Sequence, residues 1–314
     1  MSNIISVNWN VGTHVPYTKK SVYETVKLAV RYGMYTMQFF FGSPYSVSIP
    51  EDVSDHDVER VRLIIERFPT CIVTHFPYVA NFAGKGGVLA HKVDTPFSFT
   101  MGNGRCNCGC GVPQNAYIGN VTKRLEWELG QVSRFGGLGV VIHPGSHPNR
   151  EKGHLSVSRT LSGLTMGEDI TSLVLLENCA GEGNKLCRNP GELACVIENM
   201  THNKDKVGVC IDTAHLWGVG EYDLREVEEI DRFFEDMEKY GIMDRWKLLH
   251  LNDSGVQFGS RKDRLASIGT GYIWGENVES LVYLLDKCEG FGIGMVMETC
   301  LLDMIFISEL NYLV

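Results

Sequence analysis

The stretch Val207-Gly-Val-Cys-Ile-Asp-Thr-Ala-His215 indicates how this chain folds. An apolar, β-branched run ends abruptly at Asp212, and His215 follows three residues later. Such a run is typical of a buried strand, because β-branched side chains favour extended backbone. Five further apolar runs also end on a histidine or a carboxylate: Cys71-Ile-Val-Thr-His75, Gly139-Val-Val-Ile-His143, Leu173-Val-Leu-Leu-Glu177, Leu248-Leu-His-Leu-Asn-Asp253 and Gly294-Met-Val-Met-Glu298. The sequence therefore predicts buried strands whose ends are polar.

Helix-like segments alternate with these strands. Ser21 and Ser54 predict helix starts, and Pro190 marks another. With a first strand predicted at 4–9 and a second at 36–41, the chain has eight β-α alternations without a linker. That pattern predicts one α/β domain over residues 1–314, a TIM (β/α)8 barrel with its polar strand ends on one face. An open doubly wound sheet is the alternative, but no Gly-x-Gly-x-x-Gly turn follows the first strand.

Residues 81–116 interrupt the alternation after the third strand. This insertion is glycine-rich, lacks a periodic apolar face and contains Cys106-Asn-Cys-Gly-Cys110. Long insertions in compact domains are often functional. Cys106, Cys108 and Cys110 could hold a structural zinc with His91, but the spacing is not that of a standard zinc finger. We favour free thiols there.

Composition narrows the class of protein. The 314 residues carry a net charge of −9, which argues against binding nucleic acid through overall charge alone. The ten cysteines fit reduced, buried thiols, because a chain of this size needs no disulfide scaffold. No signal peptide and no run of ~20 apolar residues is evident. We therefore expect a soluble, intracellular protein that does not bind a membrane.

The polar strand ends predict a metal site. Any one of them could be a structural core residue with a hydrogen-bond partner. Together, however, imidazoles and carboxylates buried at one barrel mouth would be unstable unless cations balanced their charges. Imidazole and carboxylate ligands without thiolate point to zinc, with manganese or iron next. Seven or more ligands exceed the needs of one tetrahedral ion, so we expect a cluster with Glu177 as the bridge.

Several strings resemble the endonuclease IV family of abasic-site endonucleases. They are His143-Pro-Gly-Ser-His147, Glu177-Asn-Cys-Ala-Gly-Glu-Gly183, Cys210-Ile-Asp-Thr-Ala-His215, His250-Leu-Asn-Asp-Ser254, Asp263-Arg264, Ile268-Gly-Thr-Gly-Tyr-Ile273 and Met297-Glu-Thr299. The likeness runs from Gly12-Thr-His14 to the C-terminus, without the insertion. The resemblance implies a zinc-dependent TIM barrel that cuts double-stranded DNA 5′ to an abasic site. The products would be a 3′-hydroxyl and a 5′-deoxyribose phosphate.

The resemblance also implies ligands for three zinc ions. The first ion would take His75, His143 and Glu177, and the second would share Glu177 and add Asp212, His250 and Glu298. The third would take His215, Asp263 and a histidine two residues later, where this chain has Leu265. We therefore expect two well-held ions and a third that is weak or absent. Glu298, Glu177 and Asp212 would be the catalytic carboxylates.

DNA contacts are predicted around this cluster. Tyr78 resembles a family tyrosine that enters the lesion, and Tyr45 falls where the family uses an arginine wedge. Arg261, Lys262 and Arg264 form a basic run beside a ligand, which suggests phosphate binding. The alternatives are ordinary loop packing for the tyrosines and a solvated loop for the basic run. We expect His147 either to support a metal ligand or to be structural.

Two other functions stay open from the sequence. Metal-dependent sugar isomerases and epimerases use the same barrel with Glu, Asp and His ligands, but with fewer ions. A lesion-binding protein whose metal cluster has decayed at Leu265 is the other alternative. The abundance of imidazoles and the His250-Leu-Asn-Asp253 string favour phosphodiester cleavage, by a monomer acting on abasic DNA.

Overall fold

The computed structural model describes residues 9–84, 114–275, 277–299 and 301–310, with side chains in the third helix from residue 117. In these ranges the strands are β1 (Val11–His14), β2 (Thr36–Phe39), β3 (Cys71–His75), β4 (Gly139–Ile142), β5 (Leu173–Glu177), β6 (Val207–Asp212), β7 (Trp246–His250), β8 (Asp253–Ser254), β9 (Leu265–Ala266) and β10 (Gly294–Met297). All strands except β8 and β9 are parallel and close into one barrel, with β10 between β7 and β1. The predicted TIM barrel is confirmed.

Helices surround the barrel. In the same ranges they are α1 (Val22–Arg31), α2 (Asp55–Arg67), α3 (Gln114–Phe135), α4 (Arg150–Ser162), α5 (Pro190–Glu198), α6 (Thr213–Val219), α7 (Val227–Lys239), α8 (Val278–Gly290) and α9 (Leu302–Leu310). The predicted caps are confirmed, since Ser21 and Ser54 accept backbone N–H bonds from Glu24 and Asp57. No described helix has both the length and the apolar character needed to cross a bilayer.

The prediction of the first strand was wrong. The strand that pairs with β2 and β10 is Val11–His14, whereas residues 4–8 of the predicted strand lie outside the described residues. At Gly12, β1 lies so close to β2 that a Cβ would be 1.5 Å from the Thr36 carbonyl oxygen. Glycine interrupts the apolar run that would have revealed this strand.

Helices α4 and α6 were not predicted from the sequence. Gly153 and several serines lie inside α4 and obscure its apolar face. The short α6 begins directly after β6, and the Asp212 carboxylate caps it by accepting the His215 backbone N–H at 2.8 Å. One residue thus ends a strand and starts a helix.

The barrel interior is built in layers. One apolar layer consists of Val73, Val141, Leu175, Cys210, Leu248 and Val296, all fully buried. Side chains two positions apart in a strand point to the same side. The residues two positions further along these strands therefore form the next layer toward the carboxyl ends: His75, His143, Glu177, Asp212, His250 and Glu298.

The insertion follows β3, as predicted. Residues 85–113, including Cys106, Cys108 and Cys110, lie outside the described residues, and α3 already begins at Gln114. Asn81 holds the start of this segment, because its side-chain amide bonds both the N–H and the carbonyl oxygen of Ser146 and the carbonyl oxygen of Gly84. On the return side, the Tyr117 hydroxyl accepts the Asn81 N–H at 2.9 Å and donates to the Val79 carbonyl oxygen at 3.0 Å.

Candidate metal centre

Glu177 lies at the centre of the polar layer. Its carboxylate is fully buried at the end of β5, and four imidazoles surround it. His143 Nε2 and His75 Nε2 lie 3.0 and 3.4 Å from Oε2, and His250 Nδ1 and His215 Nδ1 lie 3.0 and 3.4 Å from Oε1. Each carboxylate oxygen therefore faces two ring nitrogens from different elements of the barrel.

The main chain orients two of these imidazoles. His75 Nδ1 lies 2.7 Å from the Phe76 carbonyl oxygen, and His215 Nδ1 lies 2.8 Å from the Asn178 carbonyl oxygen. A carbonyl oxygen can only accept, so Nδ1 carries the hydrogen in both rings. In the neutral ring Nε2 then has a free lone pair, which is the arrangement that metal-binding histidines use.

Gln38 and Asn252 position the remaining candidate ligands. Gln38 Oε1 accepts from His250 Nε2 at 2.9 Å, and Gln38 Nε2 donates to Glu298 Oε1 at 2.8 Å. Asn252 Nδ2 donates to Asp212 Oδ2 at 2.7 Å and lies 3.3 Å from Glu298 Oε2. Both amides are fully buried. They therefore supply the carboxylates with hydrogen bonds at a depth that bulk water does not reach.

The pKa values reflect how crowded these charges are. Burial acts to raise the pKa of Glu177, but His143 and His250 hold it well below its usual range. Burial acts to lower the pKa of His250, but Cys210, Glu298 and Glu177 raise it well above the usual value. Burial raises the pKa of Asp212 to about 6. The low pKa of Glu177 and the high pKa of His250 both reflect the attraction between these buried opposite charges.

Two groups of donor atoms are close enough to hold metal ions. His75, His143 and Glu177 form one, and Glu177, Asp212, His250 and Glu298 form the other, with all donor atoms in each group within 4.8 Å of one another. These are the sets predicted for the first and second ions. Buried atoms without a hydrogen-bond partner include His75 Nε2 and Glu177 Oε2, which face each other. This donor set suits zinc.

The predicted third site is incomplete. His215 Nε2 lies 3.3 Å from Asp263 Oδ2, but this pair belongs to no group of three or more donors among the described residues. Leu265, in β9, lines a pocket together with His215 and Asp263, and its side chain has no atom that could bind a metal ion. These residues do not fit a third ion held by protein ligands.

An open pocket of about 200 Å³ lies above the polar layer. It is lined by Tyr78, His143, Lys185, His215, Asp263, Leu265 and Glu298. Tyr78 contacts the ring of His75 with 5.0 Å between ring centroids, and it is 41% exposed. Tyr45 is 74% exposed and lies 6.5 Å from Tyr78. Tyr78 therefore forms an aromatic part of the pocket wall, and Tyr45 lies beside it.

The basic run adjoins the pocket through Asp263. Arg261, Lys262 and Arg264 are exposed in the segment between β8 and β9 that also carries Asp263. Their contact with phosphate stays a prediction. His147 is buried, and its Nδ1 lies 2.9 Å from the Asn149 backbone nitrogen rather than in the pocket wall.

Three residues of the centre were missed. His14 and Gln38 occupy the polar layer at the ends of β1 and β2, with 3.3 Å between His14 Nδ1 and Gln38 Nε2. Burial lowers the pKa of His14 to about 4, so this ring is neutral. Asn252 was visible only as part of a motif. His14 and Gln38 could have been found from strand register, because the strands next to theirs in the barrel end in candidate metal ligands.

A family model described as a xylose isomerase-like TIM barrel matches residues 26–300. The chain belongs to the xylose isomerase-like TIM barrel family. Within this family it is similar to a probable endonuclease 4 from Oceanobacillus iheyensis, with 29% identity over 279 residues that cover 87% of this chain and 82% of the relative. A probable endonuclease 4 from Staphylococcus saprophyticus is 27% identical and covers 92% of this chain and 87% of the relative.

Solved structures show the same barrel. Endonuclease IV from Thermus thermophilus superposes with a TM-score of 0.74 at 23% identity, over 97% of this chain and 100% of that one. A D-tagatose 3-epimerase-like protein gives 0.62 at 15% identity, over 96% of each chain. The resemblance to the endonuclease IV family is confirmed, and epimerase-like proteins are also structural neighbours.

Proposed function

We propose that this protein is a metal-dependent endonuclease that hydrolyses the phosphodiester on the 5′ side of an abasic site in double-stranded DNA. The observation that carries the proposal is the pair of donor groups that share Glu177 at the barrel mouth. Two cations held a few ångströms apart can stabilise both the attacking and the leaving oxygen of a phosphodiester. The similarity to probable endonucleases 4 supports this reaction over others.

The protein's own residues would prepare the reaction. When bound, divalent cations supply Lewis acidity that activates water and neutralises charge on the leaving oxygen. Gln38 and Asn252 hold the Glu298 carboxylate toward the pocket, where it can orient that water. Tyr78 offers a half-exposed ring edge against which a displaced sugar could rest. Enzymes that act on a damaged nucleotide commonly take it out of the helix in this way.

Imidazole content distinguishes the nuclease from the sugar isomerase or epimerase. His75, His143, His215 and His250 all lie within 3.4 Å of one carboxylate. Carboxylate ligands reduce the net positive charge of a bound cation, whereas neutral imidazoles preserve it. A centre that retains positive charge is suited to an anionic phosphodiester.

Nicking of a defined duplex tests the proposal. A labelled duplex with one tetrahydrofuran abasic analogue is incubated with zinc-loaded protein, with and without chelator, beside an undamaged duplex. We expect one cut on the 5′ side of the analogue, abolished by the chelator. Glu298→Gln should lower the rate by about 100-fold or more. Glu238→Gln, at an exposed position near the end of α7, should leave it unchanged.

The same assay separates the alternatives. A sugar epimerase would leave both duplexes intact and would interconvert ketohexoses in a parallel incubation. A lesion-binding protein would retard the abasic duplex in a gel without cutting it. Either result would overturn the nuclease proposal.

A further inference from the structure

Lys185 lies in the pocket wall on a well-fixed main chain. Its N–H donates to the Glu182 carbonyl oxygen at 3.0 Å, and its own carbonyl oxygen accepts from Arg150 Nη1 at 3.3 Å. An isolated bridge also pairs it with Ser146. The backbone is thus held on both sides while the half-buried side chain lines the pocket.

Among the described residues, the ammonium of Lys185 has no ion-pair or hydrogen-bond partner. No ion pair or hydrogen bond connects its Nζ to any side chain in the described ranges, and Lys185 is the one lysine or arginine among the described residues of the pocket wall. Asp263 and Glu298 line the same wall. A half-buried ammonium in an open pocket, with no partner among the described residues, is available to an anion that enters from outside.

Lys185 also borders the incomplete metal site. Lys185 lines a second, smaller cleft together with His143, His215 and Asp263. There, the His215–Asp263 pair lacks a further donor. Where a third cation would add positive charge to the pocket, the chain itself supplies an ammonium.

We infer that Lys185 binds a non-bridging oxygen of the phosphate that is cleaved, in the place of a third metal ion. This inference rests on the proposed function and assigns the pocket a phosphate-binding residue that the motifs do not contain. A lysine suits the task because its ammonium is a compact charge with three donors on a flexible stem. A charge-assisted bond of this kind requires a negative oxygen on the bound group.

The test removes the charge on each side of the contact in turn. Two duplexes are compared, one with an ordinary phosphate 5′ to the tetrahydrofuran and one with an uncharged methylphosphonate there. Affinity is measured by fluorescence anisotropy with zinc-loaded protein in the cleavage-deficient Glu298→Gln background. Lys185→Ala, Lys185→Arg and the control Lys247→Ala are added to that background. Lys247 is exposed near the start of β7, at the other end of the barrel.

We expect Lys185→Ala to weaken binding of the phosphate duplex by about 10- to 100-fold. It should not change binding of the methylphosphonate duplex, and Lys185→Arg should restore most of the loss. Lys247→Ala should behave as the parent does. In proteins that keep Glu298, zinc content measured by mass spectrometry should be two ions per chain whether residue 185 is lysine, alanine or arginine.

Three results would overturn the inference. Equal weakening on both duplexes would place the lysine on another phosphate, and no weakening would leave it without a role in binding. A third zinc ion in the wild-type protein would show that metal, rather than Lys185, occupies the cleft. Failure of the wild type to nick abasic DNA would instead refute the proposed function itself, and this inference with it.

Discussion

Replacing Asn252 by alanine should weaken zinc binding without unfolding the barrel. The Asn252 amide donates to Asp212 Oδ2 at 2.7 Å, and its Oδ1 accepts the Glu298 N–H at 3.0 Å. The backbone of residue 252 is held separately, because its N–H and carbonyl oxygen both bond the Thr213 hydroxyl, at 2.8 and 2.6 Å. Truncation therefore removes support from two carboxylates that we propose bind metal, while the chain stays in place.

The size of the effect follows from these bonds. A hydrogen bond to a charged group contributes about 1.5–3 kcal/mol. A tenfold change in affinity corresponds to about 1.4 kcal/mol, so losing the bond to Asp212 alone predicts a 10- to 100-fold weaker site. Loss of groups that support metal ligands in other proteins has about the same effect, 10- to 100-fold.

Competition with a chromophoric zinc chelator measures this difference. The matched control is Asn199→Ala, which removes an amide at the exposed C-terminal end of α5, where it bonds the Cys195 carbonyl oxygen. Affinity in Asn252→Ala within about twofold of the wild type would refute the reasoning. It would mean that Asp212 and Glu298 are positioned by the fold alone, without the amide.

Three other predictions follow from the site and its loops. Leu265→His should raise zinc content from two to three ions per chain, measured by mass spectrometry, because it adds an imidazole beside Asp263. Because the pKa of His250 is raised, its ring is protonated near neutral pH in the metal-free protein, so zinc should bind more tightly as pH rises. Calorimetry in buffers of different ionisation enthalpy should detect the released proton. Gly271→Ala should destabilise the fold by about 1–3 kcal/mol in thermal unfolding, since its Cβ would lie 2.4 Å from Asp253 Oδ1.

Much of the metal centre was predictable because it depends on strand periodicity. Val73 and His75, or Leu175 and Glu177, lie two residues apart on one strand and therefore point to the same side. Once the strands are parallel and form a barrel, their ends must converge. The residues of the polar layer can therefore be predicted for each strand that is apolar enough to be recognised in the sequence.

The remaining parts depend on information that periodicity does not carry. Gly12 breaks the apolar run of β1, so His14 could not be assigned to the layer from spacing. Gln38 has no metal-binding chemistry of its own, and its role exists only through His250 and Glu298. Lys185 and Leu265 meet in one pocket because separate loops fold back, which no local rule predicts.

The hydrogen bonds of Asn81 mark the boundary between the barrel and the insertion at residues 85–113. The segments before and after the insertion are joined by hydrogen bonds of Asn81 with Tyr117 and with Ser146. Gly145 is required beside them, because a Cβ at this position would lie 2.1 Å from Asn81 Oδ1. Loop closure costs only about 0.6 kcal/mol for each doubling of length. Residues 85–113 can therefore lengthen, shorten or diverge in the course of evolution while His75 and His143, on either side, keep their places.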